Sequence, residues 1–221
     1  REPGDPSTIY PVLALLPIDD VRIEDVWHTD GMRATGSNDV VIADAFVPAH
    51  RLVPVVDIYT GTAPGAEVHD ADTYRWPMVP ALALLAAMPA LGSAERAVEL
   101  YTERLSQRFL AYEGVMQKDK PVASVHLGQA SVRLRALRGL LADTVGEIQT
   151  IVAEGDPVPR HVRGQARLAA AHIVYESRAV IADLLGASGA SAHFLHHPLQ
   201  RIKRDVDVIG GHVVFDYDTS R

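Results

Sequence analysis

Apolar side chains recur at helical spacing from Val79 to Phe109: Leu84, Leu85, Met88 and Leu91, then Ala94, Val98, Tyr101 and Leu105. Such a stripe predicts a long amphipathic helix. Pro89 inside it should kink or split the helix, because proline removes a backbone donor and crowds the preceding turn. A second stripe, Leu127, Ala130, Leu134, Leu137, Leu141, Val145 and Ile148, predicts a helix from Val122 to Glu154, ended by Gly155-Asp156-Pro157-Val158-Pro159. A third helix is expected from Arg160 to Leu185, where Ala166, Ala169, Ala170, Ile173, Val174, Val180, Ile181 and Leu184 recur. Its alanines imply close helix-to-helix contact. Pro198 suits the first turn of a shorter fourth helix. Long helices joined by short connections are the components of an up-down four-helix bundle.

The first quarter of the chain carries a different period. Tyr10 to Ile18 is an apolar run, Val21 to Trp27 alternates, and Val40 to Val47 is rich in β-branched residues. Asp19-Asp20, Gly31, Gly36-Ser37-Asn38-Asp39 and Pro48 supply turns between them. Strands this few cannot close a barrel or fill a sandwich, so they are expected to belong to a larger sheet completed from elsewhere. Residues 57–76 hold Gly61, Pro64, Gly65, a cluster of acids and His69 without periodicity, and read as a linker loop. The expected fold class is therefore α+β, mainly α. A partial β-domain spans 1–56, a linker 57–76 and a four-helix-bundle domain 77–221.

Composition narrows the partners. The 221 residues are 48% hydrophobic and 22% charged, ordinary for a globular chain that buries a core. A formal charge of −7 offers no basic excess to neutralise nucleic acid, so none is expected as a bulk partner. Cysteine is absent, which excludes disulfides and thiolate chemistry and fits a cytoplasmic location. The apolar run Ala81–Leu91 is about half a membrane span, so no membrane partner is expected. The polar opening Arg1-Glu2-Pro3-Gly4-Asp5-Pro6 does not read as a signal peptide, and without an initiator methionine the chain is expected to be a fragment or a processed form.

Candidate chemistry gathers towards the end of the chain. His193, His196 and His197 lie close together, but no His-Glu pair at helical spacing joins them, and no metal site is expected. The small-residue loop Gly186-Ala187-Ser188-Gly189-Ala190-Ser191 lacks both the Gly-x-Ser-x-Gly elbow and a phosphate-loop Lys-Ser/Thr pair. It could bring backbone N–H groups to a flat or anionic ligand, or simply turn the chain. Arg104 and Arg108, one turn apart, read either as a phosphate clamp or, with Arg96, as a solvated stripe paired with Glu95, Glu99 and Glu103. Arg201 and Asp205 should pair across one turn. His212, seven residues after Asp205, would share its face in an unbroken helix. Beside Gly210-Gly211 it suits a general acid or base, or is polar surface.

Two sets of residues carry a resemblance. Gly31-Met32-Arg33-Ala34-Thr35-Gly36-Ser37-Asn38-Asp39-Val40, followed by Ala45-Phe46-Val47-Pro48, resembles the middle β-domain of the acyl-CoA dehydrogenase superfamily. Gly189-Ala190-Ser191 with His197-Pro198-Leu199-Gln200-Arg201, Arg204-Asp205 and His212 resembles its flavin-dependent monooxygenase branch, the two-component oxygenases of the 4-hydroxyphenylacetate hydroxylase and dibenzothiophene monooxygenase type. The likeness runs from about Ile9 to Asp218. It implies a helical domain and first strands ahead of this sequence, and a C-terminal bundle that forms a homotetramer.

That resemblance also implies a chemistry. A separate flavin reductase delivers reduced FMN, which reacts with molecular oxygen to a C4a-hydroperoxyflavin that hydroxylates an aromatic, heteroatom or amine substrate. His212 would act as acid/base or hydrogen-bond the peroxide. Arg108 and Arg104 would contact flavin phosphate across a subunit boundary, Gly189, Ala190 and Ser191 would line the flavin edge, and Arg204-Asp205 would brace the last helix. The first alternative is an FAD-dependent acyl-CoA dehydrogenase-type oxidoreductase, whose catalytic glutamate has no match here, since Tyr112-Glu113-Gly114 lies too early in the chain. The second is a non-catalytic helical tetramerisation module.

Overall fold

The computed structural model describes residues 11–217. Arg1 to Pro6, Ile9, Tyr10 and Asp218, which entered the reading above, lie outside them. Three long helices dominate: α3 (Met78–Gln107), α4 (Pro121–Ala153) and α5 (Arg160–Ala187), followed by α6 (Pro198–Gly210). Pro121 and Pro198 each occupy the first turn of their helix, where no intrahelical N–H bond is lost. Pro89 does not split α3, which runs on through it. Its missing bond falls to the carbonyl of Leu85, whose side chain is exposed, so the defect faces away from the core.

The packing follows from an alanine seam. Ala83, Ala87, Ala90, Ala94 and Ala97 alternate at four- and three-residue spacing along α3, and each is fully buried. Side chains this small let α5 approach along Ala166, Ala170, Ile173, Val174, Val180 and Ile181. The α3–α5 pair forms the bundle's centre, and α4 and α6 each pack against both. By length and composition α3 is long and apolar enough to cross a membrane, but its seam is spent on α5.

The β part is small. β1 (Val12–Ala14) pairs antiparallel with β4 (Leu52–Pro54), and β2 (Val21–Glu24) with β3 (Asp39–Ile42). Ile23, Val40, Ile42 and Phe46 are exposed, as expected of a sheet with an uncovered face. Two expectations are corrected. The stretch read as a loop contains α1 (Val55–Thr60), α2 (Gly65–Val68) and a 3-10 turn at Asp72–Arg75. Gly61 ends α1 at φ 77°, the left-handed geometry that glycine supplies. In addition, β5 (Phe109–Leu110) and β6 (Val115–Met116) form a short hairpin between α3 and α4 that the sequence reading placed in a helix end and a loop.

The β part docks on α6 through residues 27–38. Asp205 does not pair with Arg201, which is exposed; its Oδ1 accepts the backbone N–H of Met32 at 2.7 Å. Met32 holds φ 52°, unusual for a non-glycine residue, and its carbonyl accepts Trp27 Nε1 at 2.8 Å and Thr35 Oγ1 at 2.8 Å. Gly31 lies directly on the α6 backbone, where a Cβ would overlap the carbonyl of Arg204. Asp205→Ala should therefore destabilise the protein by about 1.5–3 kcal/mol, the range for a hydrogen bond to a charged group, and Asp205→Asn by less. Urea unfolding of the two variants checks this, and equal midpoints for Ala and wild type would contradict it.

Candidate functional site

Docking of the β part on the bundle leaves a cavity of about 250 Å³. Trp27, Met32, Thr35 and Ser37 form one wall, and Ala86, Pro89, Val208, Ile209 and Phe215 the other, with His212 between them. His212 is not on α6. The helix stops at Gly210, and His212 caps the next 3-10 turn (Val213–Phe215), its Nδ1 accepting the N–H of Val214 at 3.1 Å. The face expected to be shared with Asp205 therefore does not exist. His212 is exposed, with its ring edge-on to Phe215 at 6.2 Å between centroids. No carboxylate lines this cavity among the described residues.

The C-terminal half of α6 is held from α5. Arg178 donates from Nε to Asp207 Oδ1 at 3.1 Å, and Lys203 pairs with the other oxygen of Asp207. Arg178 also lies along Gly210, where a Cβ would stand 2.7 Å from its Cδ. The predicted bracing of α6 is thus made by Asp207, Arg178 and Lys203. Asp205 is spent on the β part, and Nε of Arg204 is buried without a hydrogen-bond partner among the described residues.

A second locus forms at the other end of α6. Arg104 sits on the last turn of α3, and Arg108 follows it as the residue that ends the helix. Both reach the carbonyl of Ser188 at the C-terminus of α5: Arg104 Nε at 3.0 Å and Arg108 Nη1 at 2.6 Å. Arg104 Nη2 also donates to Ser191 Oγ at 2.5 Å. The negative end of the α5 dipole favours two cations here. Among the described residues neither pairs with a carboxylate; only Arg96 of the predicted stripe does, with Glu99 at 2.7 Å and Glu103 at 3.2 Å. Burial and the Arg108 charge push the Arg104 pKa below its ordinary value. With Ser191, His197 and Pro198 the two arginines line a cavity of about 620 Å³.

Gly189 makes this cluster possible. Its φ 71°, ψ 175° is essentially open only to glycine, and a Cβ there would overlap the Arg108 guanidinium. Ala190 and Ser191 begin the 3-10 turn Ala190–His193, both exposed. His197 caps α6, its Nδ1 accepting Leu199 N–H at 3.3 Å; His193 and His196 are exposed. The structure therefore joins Arg104, Arg108, Gly189 and Ser191 into one site and sets His212 apart. The thirteen residues of α6 hold the two loci about 20 Å apart at 1.5 Å per residue. Trp27 and Met32 were not singled out individually from the sequence. Their signal was a tryptophan four residues before a glycine inside the β-domain motif.

The comparisons with known proteins agree with this architecture. The family described as acyl-CoA dehydrogenase, C-terminal domain, matches residues 84–217, and the chain belongs to that family. Within it, similarity is high to flavin-dependent monooxygenases. The oxygenase subunit HsaA of Rhodococcus jostii (strain RHA1) is 34% identical over 192 residues, 86% of this chain and 50% of that protein. The crystal structure of 3-HSA hydroxylase from Rhodococcus sp. RHA1 superposes with a TM-score of 0.87 at 32% identity, over 96% of this chain and 55% of that one. XiaF from Streptomyces sp., solved with FADH2 and glycerol, gives a TM-score of 0.85 at 25% identity, over 96% and 54%. The chain thus spans about half the length of the curated relatives it matches.

Two outcomes test the second locus. Gly189→Ala should cost about 1–3 kcal/mol of stability in urea unfolding, because it imposes backbone strain and displaces Arg108. His197 supplies a pH dependence: burial first, then Arg104 and His196, lower its pKa below 6.5. The unfolded chain then takes up the proton first, so the contribution is complete above about 6.5 and lost as pH falls through the folded-state value. Unfolding midpoints of His197→Asn, which retains a capping side chain, should fall less on acidification than those of wild type.

Proposed function

We propose that this chain is part of the oxygenase component of a two-component flavin-dependent monooxygenase that hydroxylates an aromatic or heteroatom substrate. One observation carries the reading: the cavity between the β part and the bundle has apolar walls, one titratable side chain, His212, and no carboxylate among its described lining residues. A flat ring system fits such walls. An acyl-CoA dehydrogenase, the runner-up, needs a carboxylate base there, whereas Glu113 lies in the α3–α4 connection paired with Lys120. The relatives named as oxygenase subunits support the same reading.

The cofactor we infer is reduced FMN delivered by a partner reductase, with FAD as the alternative that the FADH2 complex of XiaF favours. When bound, the reduced flavin supplies electrons for activating molecular oxygen. The chain's own residues do the rest. Trp27, Met32 and Phe215 keep water from the cavity, which matters because activated oxygen is otherwise lost unproductively. His212 offers a hydrogen bond or proton transfer to the reacting oxygen. Arg104 and Arg108 keep guanidinium N–H groups beyond those spent on Ser188, Ser191 and Gln117, enough to hold phosphate. Gly189, Ala190 and Ser191 lie beside them at the flavin edge.

We infer that the phosphate locus and His212, held apart by α6, serve different copies in a homotetramer. We place the protein in the cytoplasm. His212→Ala in the whole protein should lower coupled hydroxylation by about a hundredfold or more while flavin binding persists. Product assay with flavin titration measures both, and near-wild-type coupled hydroxylation would remove His212 from the chemistry. Acyl-CoA turnover with an artificial acceptor would instead favour the dehydrogenase. A stable assembly that binds no flavin would leave the non-catalytic module.

A further inference from the structure

The turn that carries His212 is tied to α5 by a second arginine. Arg167 donates from Nη2 to the carbonyl of Val213 at 3.0 Å and from Nε to the carbonyl of Val214 at 3.0 Å. The carbonyl of Val213 and the N–H of Val214 belong to one peptide group. That same N–H donates to Nδ1 of His212 at 3.1 Å. A cation on the carbonyl polarises the peptide and makes its N–H a stronger donor, so guanidinium, peptide and imidazole form a cooperative chain. A ring nitrogen that accepts a hydrogen bond carries no proton, and the neutral ring must then hold its proton on Nε2.

We propose that Arg167 is a positioning residue that fixes neutral His212 as the Nε2–H tautomer, so that the cavity meets a hydrogen-bond donor and not a base. The ligand atom it takes is an acceptor oxygen, a carbonyl or an oxyanion. This rests on the reading that His212 serves the cavity. It also sharpens that reading, because accepting a substrate proton at Nε2 would require the ring to move its own proton to Nδ1 and break the bond from Val214.

Nitrogen-15 spectra of histidine-labelled whole protein read the tautomer directly, with the His212 signals assigned by their loss in His212→Gln. Wild type should show an unprotonated, pyridine-type Nδ1 and a protonated, pyrrole-type Nε2 at neutral pH. Arg167→Met should move the two signals towards each other as the tautomers mix, and lower coupled hydroxylation about tenfold, the size expected for losing one charge-assisted hydrogen bond. Arg167→Gln, which keeps a neutral donor, should give an intermediate tautomer ratio and serves if the Met variant does not fold. A pyridine-type Nε2 in wild type, or an unchanged ratio in both variants, overturns the proposal. The expected spectra together with full hydroxylation by His212→Ala would leave the positioning role intact and instead defeat the functional reading on which it rests.

Discussion

A carboxylate on α6 joins the two parts of this molecule. Asp205 accepts the N–H of Met32, and the geometry of that residue shows why the bond matters. A non-glycine residue at φ 52° carries about 1–3 kcal/mol of strain, and a hydrogen bond to a charged acceptor contributes about as much. Without the carboxylate the loop would have little reason to stay in this conformation. Held there, Met32 presents its carbonyl to Trp27 and Thr35, and Gly31 lets the loop lie on the α6 backbone. The cavity beside His212 exists because these two surfaces meet.

The helices were legible in the sequence and the docking was not. Helical period registers burial over many turns, so α3, α4 and α5 begin and end within about two residues of the expected bounds, and the alanines of α5 announced a close approach. The alanine seam of α3 was less visible, since leucines on its outer face, such as Leu85, gave an equally good stripe. Local chemistry misled where tertiary contacts decided. Val55-Val56-Asp57-Ile58-Tyr59-Thr60 is β-branched and still forms a helix, because Gly61 ends it and α3 packs on it. Arg201 and Asp205 have ideal spacing for a pair, but a backbone N–H from 173 positions away takes the carboxylate.

The site was legible by residue type more than by arrangement. Arginines near a small-residue loop could be picked out, but only the fold shows that they converge on the C-terminus of α5, and that Gly189 is there to admit Arg108. His212 was visible as a histidine after two glycines. Its place on a separate turn depends on α6 stopping at Gly210. Arg167 carried no sequence signal at all, because nothing local links position 167 to a turn 46 residues later.

The two ends of α6 differ in how binding and stability are coupled. At the His212 end the cavity lining is mostly apolar, and the imidazole is exposed with one nitrogen bound to its own turn. Removing it leaves no buried charge unpaired, so a change in chemistry there can be read as chemistry. At the other end, Arg104 and Arg108, the proposed phosphate contacts, both donate to the carbonyl of Ser188, the residue that ends α5. Truncating either removes one of the two donors to that carbonyl and at once relieves repulsion between two like charges. An affinity lost on arginine substitution therefore contains a folding contribution, and only a comparison with unfolding data on the same variant separates the two.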